Sequence, residues 1–186
     1  MERRVYRYET VGSTNTELMA LARQGAAEGT VVLAGQQTAG RGRMGRSFQS
    51  PAGLGLYGSV LLRSSPEDAP RIPALAATAV RRAIRRSCGL SCGIKWPNDV
   101  ILNGKKCVGI LSELAADMDG LSFVIPGVGI NVNQTAFEGE LREKATSLLI
   151  ELRKADPNAQ PVCRRQLLLS YLRHMESAVD ALEREG

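Results

Sequence analysis

Apolar and polar positions alternate along the chain with two periods, about 3.6 for helices and 2 for strands. The clearest helix spans residues 66–87, where Ile72, Leu75, Ala76, Ala79, Val80, Ala83 and Ile84 form one apolar stripe. A second spans 166–183, with Leu168, Leu172, Met175, Val179 and Leu182 on one side. A third starts at Thr14-Asn15-Thr16-Glu17, whose spacing fits a capping box. It runs to about Gln24, buries Leu18, Leu21 and Ala22, and stops at Gly25. Short strand-like runs lie at 30–34, 54–62, 93–96, 100–102, 105–114 and 121–125. Asn103-Gly104 predicts a two-residue hairpin, and Asp119-Gly120 another turn. Hairpins mixed with helices predict an α+β fold on a mixed sheet.

Composition narrows this picture. With 186 residues, 44% of them hydrophobic, the chain fits one domain with a sizeable core. The net charge of +5 suits an anionic ligand or partner. Its placement says more: residues 29–66 contain no Asp or Glu, yet Arg41, Arg43, Arg46 and Arg63 fall there. Arg81, Arg82, Arg85 and Arg86 read as a solvated helix face that complements the helix dipole. Cys88, Cys92, Cys107 and Cys163 form no C-x-x-C pair, and His174 is the sole histidine, so a Cys/His zinc site is not expected. The cysteines read as free thiols, and His174 as a surface residue of the last helix. The N-terminus lacks the apolar core of a signal peptide, and no apolar run reaches the ~20 residues of a membrane span. The expectation is a cytoplasmic protein, with the Asn133-Gln134-Thr135 sequon a chance match.

Three segments carry candidate chemistry. Gly40-Arg41-Gly42-Arg43-Met44-Gly45-Arg46 combines glycines that allow close approach with fork-shaped cationic donors. Alone, it reads as an anion clamp or as a basic surface loop. It matches the dinucleotide fingerprint and nearly the P-loop, but both need a helix to follow at once, and Ser47-Phe48-Gln49-Ser50-Pro51 is no helix start. Lys95-Trp96-Pro97-Asn98-Asp99 precedes the predicted hairpin, which brings Lys106 towards Asn98 and Asp99. A cation beside a carboxylate suits phosphate chemistry; a decorated exposed hairpin is the plainer reading. Gly127-Val128-Gly129-Ile130-Asn131 is either a ligand's close approach to a strand or a glycine-softened strand end.

Together with Gly12-Ser13-Thr14-Asn15, Gln37-Thr38-Ala39, Ser50-Pro51, Leu56-Tyr57 and Gly104-Lys105-Lys106, these segments resemble biotin–protein ligases in order and spacing, over about residues 9–133. The resemblance implies a mixed, largely antiparallel sheet backed by helices, related to lipoate ligases and class II aminoacyl-tRNA synthetases. It implies that residues 1–186 are one catalytic domain, with the winged-helix domain of some relatives absent and the small C-terminal β-barrel absent or truncated. It also implies that biotin and ATP, with Mg2+, give biotinyl-adenylate, and that biotin then passes to a lysine of a biotin carboxyl carrier protein or domain of a carboxylase. A lipoate–protein ligase of the same architecture is the alternative. A nucleic-acid-binding module is disfavoured by three Phe, four Tyr and one Trp and by the absence of its motifs. No nucleic acid and no membrane are expected as partners, and the state is monomer or homodimer.

Carried over by position, Ser13, Thr14, Gln37, Gly40, Arg41, Tyr57, Gly109, Gly127 and Gly129 would line the biotin pocket, and Asn15, Ile110, Lys95 and Trp96 also count among the ligand-binding residues. Arg43, Arg46, Phe48, Asn98, Asp99, Lys106 and Asn131 would hold ATP and magnesium, with Asp99 and Asn131 placing the metal. Lys106, Arg41 and Asp99 would carry catalysis. Phe48 stands where many relatives have tryptophan, Cys107 where a small aliphatic residue is usual, and Pro126 removes one ladder N–H. Two unit charges ~4 Å apart at an effective dielectric near 20 repel by about 4 kcal/mol. A lysine between the biotin carboxylate and the α-phosphate reverses that sign. The Gly40–Arg46 loop is expected to be mobile and to fold over bound biotin.

Overall fold

A computed structural model describes residues 4–63, 65–116 and 122–185. The strands are β1 (Val5–Val11), β2 (Val31–Gln37), β3 (Gly55–Val60), β4 (Leu62–Arg63), β5 (Gly93–Lys95), β6 (Asp99–Leu102), β7 (Lys105–Ala116) and β8 (Ser122–Asn131). The helices are α1 (Thr14–Arg23), α2 (Ile72–Cys88), α3 (Leu141–Lys144), α4 (Leu148–Ala155) and α5 (Arg164–Glu185). Strand order is β1-β2-β3-β8-β7-β6-β5, with β4 beside β8. β1 and β2 are parallel, whereas β2–β3, β4–β8, β5–β6 and β6–β7 are antiparallel. This is the mixed, largely antiparallel α+β sheet that the sequence predicts. The chain divides into two compact units, Met1–Pro73 with Ile110–Gly129, and Ala74–Gly109 with Ile130–Gly186.

In the first unit, α1 crosses between the parallel pair β1 and β2 and buries Leu18 and Ala22 in a core with Val32, Leu61, Phe123 and Ile125. Its predicted capping box does not form: Ser13 is the N-cap, and no side chain caps the helix. The Thr14 hydroxyl is drawn into tertiary hydrogen bonds instead. β1 has no counterpart among the predicted elements. It is an edge strand whose alternation is blurred by Arg7, Tyr8 and Glu9, with Val5 exposed.

In the second unit, α2 buries Ala76, Ala77, Ala79, Val80, Ala83 and Ile84. It begins six residues later than predicted, after a 3-10 turn at Ala69–Arg71. Pro73 lacks an N–H to donate and is tolerated because it lies in the first turn of α2, where no intrahelical partner is needed. The Asn103-Gly104 hairpin forms as predicted, pairing Leu102 with Lys105, with φ of 47° at Asn103 and 80° at Gly104. β8 is longer than the predicted strand and carries Pro126 inside it. The predicted Asp119-Gly120 turn lies outside the described residues. α3 and α4 follow β8, where the sequence reading assigned no element.

α5 matches the last predicted helix and buries Leu172, Met175, Val179 and Leu182. His174 is half-buried on it; burial, and then the charges of Arg82 and Arg86, hold its pKa below the ordinary value. Among the described residues, no helix is long and apolar enough to cross a membrane.

Candidate active site

In the first unit the arginine–glycine segment takes the form of a hairpin. Phe48 N–H donates to Gly40 O at 2.8 Å, Gly42 N–H to Arg46 O at 2.7 Å, and Arg41 bridges Ser47. Met44 and Gly45 both take positive φ, 57° and 72°, so the tip is a two-residue turn of the kind that matches strand twist. A methionine there is strained by roughly 1–2 kcal/mol, and its side chain points into solvent. Arg43 and Arg46 are exposed on either side of the tip.

Beneath the hairpin runs a chain of neutral polar groups. Gln37 Oε1 accepts from Thr14 N–H at 2.9 Å, and Gln37 Nε2 donates to Ser50 Oγ at 2.9 Å. Ser59 Oγ lies 2.7 Å from Thr14 Oγ1 and 2.6 Å from Asn15 Oδ1. The amide oxygen of Asn15 can only accept, so the Ser59 proton goes there and Thr14 donates to Ser59 or to Gln37. Asn15 Nδ2 gives its protons to Leu111 O at 3.0 Å and Glu113 Oε2 at 2.8 Å. Ser13, Thr14, Asn15, Ser50 and Ser59 are buried, so these bonds replace those water would otherwise make.

Arg41 is tied to the same group, with Nη2 donating to Glu113 Oε2 at 2.8 Å and to Thr16 Oγ1 at 3.1 Å. Tyr57 is buried, and its hydroxyl donates to Pro51 O at 3.1 Å. Ile110 is buried in β7. Two glycines of β8 allow close packing. A Cβ on Gly127 would sit 2.1 Å from Asn15 Oδ1, and one on Gly129 would sit 2.5 Å from the Phe48 ring.

In the second unit the hairpin brings Lys106 to Asp99, with Nζ 2.8 Å from Oδ1. Both side chains are partly exposed, at 39% and 24%. Asn98 Nδ2 lies 3.4 Å from the same oxygen, Lys95 faces Asp99 across β5 and β6, and Gly109 faces it across β6 and β7. The register shifts between Val100 and Ile101, which leaves Cys107 as the bulged residue. Its thiol is buried and contacts Asn131 O at 3.4 Å; burial raises its pKa well above the ordinary value. Trp96, joined to Pro97 by a cis peptide, is 72% exposed.

Behind Lys106, Thr146 N–H donates to the Lys106 carbonyl at 2.9 Å. Buried Glu151 accepts from Thr146 Oγ1, from Asn103 Nδ2 at 2.6 Å and from Lys154 Nζ at 2.8 Å. Burial pushes the Glu151 carboxyl up, but the bonds from Lys154, Thr146 and Asn103 outweigh it and leave the pKa below the ordinary carboxylate value.

The donor set can be tested against a magnesium ion, which prefers one or two carboxylates together with phosphate oxygens and water. Asp99 fits in type, as a partly exposed carboxylate, although Lys106 already neutralises one of its oxygens. Asn131 does not: it is buried, its Nδ2 donates to Thr146 O at 3.1 Å, and its Oδ1 accepts from Gln134 Nε2 at 3.1 Å. The amide expected to face a metal instead ties β8 to the 146–147 segment. Among the described residues, no group of three or more His, Cys, Asp or Glu could hold a metal alone.

Sequence reasoning missed Ser59, Glu113 and Glu151. A signal existed for Glu113, because a stretch with four arginines and no acid needs a carboxylate from elsewhere.

A sequence model of the biotin/lipoate A/B protein ligase family matches residues 8–131. The chain is 45% identical over 144 residues to a bifunctional ligase/repressor BirA of Bacillus spizizenii, covering 75% of this chain and 44% of that protein. It is 40% identical over 163 residues to a biotin–[acetyl-CoA-carboxylase] ligase of Mycobacterium tuberculosis, covering 84% and 58%. Its fold superposes on an Aquifex aeolicus biotin protein ligase in complex with biotin and ATP, with a TM-score of 0.81, 30% identity and coverage of 98% and 73%. The chain thus spans about half the length of the first two relatives. The matched segment contains both polar clusters, from Ser13 in one to Asn131 in the other, and the chain belongs to the biotin/lipoate A/B protein ligase family.

Proposed function

We propose that the chain activates biotin with ATP and transfers it to a lysine of a carboxylase's biotin carrier domain. The observation that carries this reading is the Lys106–Asp99 pair, a half-exposed ammonium held on a carboxylate at 2.8 Å. The acceptor class is suggested by the Mycobacterium relative, which is named for acetyl-CoA carboxylase.

In the first step the biotin carboxylate attacks the α-phosphate of ATP and pyrophosphate leaves. Lys106 neutralises the charge that builds on the two reacting anions, and that charge is largest in the transition state. Asp99 holds the ammonium in place before substrate arrives. In the second step the acceptor amine attacks the acyl carbon of the mixed anhydride and AMP leaves. In the first unit, Arg41, Arg43 and Arg46 offer bidentate donors suited to a carboxylate or to phosphates. Magnesium, when bound, would supply further neutralisation of the phosphates, and Asp99 would be its protein ligand; Asn131 holds Thr146 behind Lys106. The buried chain Gln37–Thr14–Ser59–Asn15 suits a neutral polar ring, with donors and acceptors fixed before binding. That feature separates biotin, which carries a ureido ring, from lipoate, which carries none.

Calorimetry decides between them. Biotin binds with micromolar or tighter affinity and lipoate is at least about a hundredfold weaker, because a site built for hydrogen bonds rejects a ligand that leaves them unmade. Equal affinity for the two would overturn the assignment.

A further inference from the structure

Glu113 lies in β7, outside every segment that pointed to chemistry, yet one of its oxygens is shared by two groups of the first cluster. Oε2 is 2.8 Å from Asn15 Nδ2 and 2.8 Å from Arg41 Nη2. These two neighbours differ in mobility. Asn15 is 3% exposed, both polar atoms of its side chain are engaged, and its amide oxygen lies where a Cβ on Gly127 would collide with it. Arg41, by contrast, has a side chain 46% exposed on a glycine-rich hairpin.

An ordinary exposed ion pair of this kind contributes little. Here the carboxylate is anchored on a fixed amide, and it passes that fixed point on to the guanidinium. Both protons of Arg41 Nη2 are engaged, one by Glu113 and one by Thr16, which sets the plane of the guanidinium. The N–H groups on Nε and Nη1 take no part in these bonds. No acid within residues 29–66 could do the same from the hairpin's own side.

We infer that Glu113 is a positioning residue for biotin: it links the buried Asn15 amide to Arg41 and so presents the arginine in its ligand-binding orientation. This rests on the proposed ligase function. It assigns Glu113 no contact with substrate.

The test compares wild type with Glu113→Ala, Glu113→Asp and Glu113→Gln, each checked for folding by thermal melting. Two readouts are used: the KM values for biotin and ATP in pyrophosphate release, and the rate of tryptic cleavage after Arg41, Arg43 and Arg46 without ligand. Aspartate is one methylene short of reaching both partners, whereas glutamine keeps one oxygen that can accept from both. Ala and Asp are expected to raise the biotin KM at least about tenfold with the ATP KM within about threefold, and Gln to stay within about threefold of wild type for both. Ala and Asp should also speed cleavage of the hairpin, and Gln should not. If Ala does not fold, Asp carries the comparison.

A biotin KM unchanged in Asp, equal rises for biotin and ATP, or no rescue by Gln would each overturn the inference. Should wild type release no pyrophosphate in response to biotin, the ligase reading fails, and cleavage rates alone decide on Glu113: faster in Asp than in Gln supports the link, equal rates refute it.

Discussion

The two polar clusters solve opposite problems. In the first unit, hydroxyls and amides are buried and neutral, and each is paired within the chain from Gln37 to Asn15. In the second, Lys106 and Asp99 are charged and stay partly exposed. Neutral groups can be buried when every donor and acceptor is matched, so they can hold a fixed shape for recognition. Burying an ion pair costs more than its attraction returns unless the geometry is ideal, so charges meant to meet arriving anions remain near water. The difference teaches that shape is stored in one cluster and charge in the other, and substitutions should separate the two.

The largest effect is expected in the charged cluster. Lys106→Ala should lower the rate of adenylate formation at least about a hundredfold, the loss typical of removing one preorganised charge from a transition state. Thermal unfolding should change little, because the side chain is 39% exposed and its backbone bond to Thr146 remains. A large loss of stability in this variant would blur the distinction.

The neutral cluster should respond in shape rather than rate. Gly127→Ala places a methyl 2.1 Å from an Asn15 oxygen that cannot move, so it should cost about 2 kcal/mol in thermal unfolding and weaken biotin binding. Gly129→Ala meets the edge of the Phe48 ring at 2.5 Å, which can turn away, and should cost less. The reverse order would show that Phe48, not Asn15, is the fixed wall.

Glu151 supports the charged cluster from behind. Glu151→Ala should destabilise the protein by about 2 kcal/mol, since it strands the Thr146 hydroxyl and the Asn103 amide. The carboxyl's pKa is lower folded than unfolded, so its stabilisation is complete above the ordinary glutamate value of 4.5 and is lost as pH falls through the folded value. The gap between the melting curves of wild type and variant should therefore narrow below that pH, leaving the part due to the stranded Thr146 and Asn103 groups; a constant gap would contradict the assignment. The smallest effect concerns the hairpin tip: biotin should slow tryptic cleavage at Arg43 and Arg46 severalfold, and equal rates with and without biotin would count against closure over the ligand.

Much of this was legible in the chain because it is local. Asn103-Gly104 demanded its turn, and with that turn Lys106 had to approach Asp99. The apolar stripe of α2 was equally plain. What escaped reading depends on distant partners. Thr14 looks like a helix cap until Gln37 and Ser59 claim its hydroxyl. Glu113 looks like an outward position of a strand until Asn15 and Arg41 arrive at it. The 38–53 loop looked irregular, yet positive φ at Met44 and Gly45 closes it into a hairpin, a conformation a methionine does not announce. Asn131 carried the right chemistry for a metal ligand, and its bond to Thr146 depends on a partner that the local sequence does not announce.

Pyrophosphate release with ATP and Mg2+, measured with and without biotin in wild type and in Lys106→Ala, tests the central claim most directly. Release that requires biotin in wild type and is nearly abolished in the variant is the predicted result. Release that ignores biotin, or that survives the loss of Lys106, would contradict it.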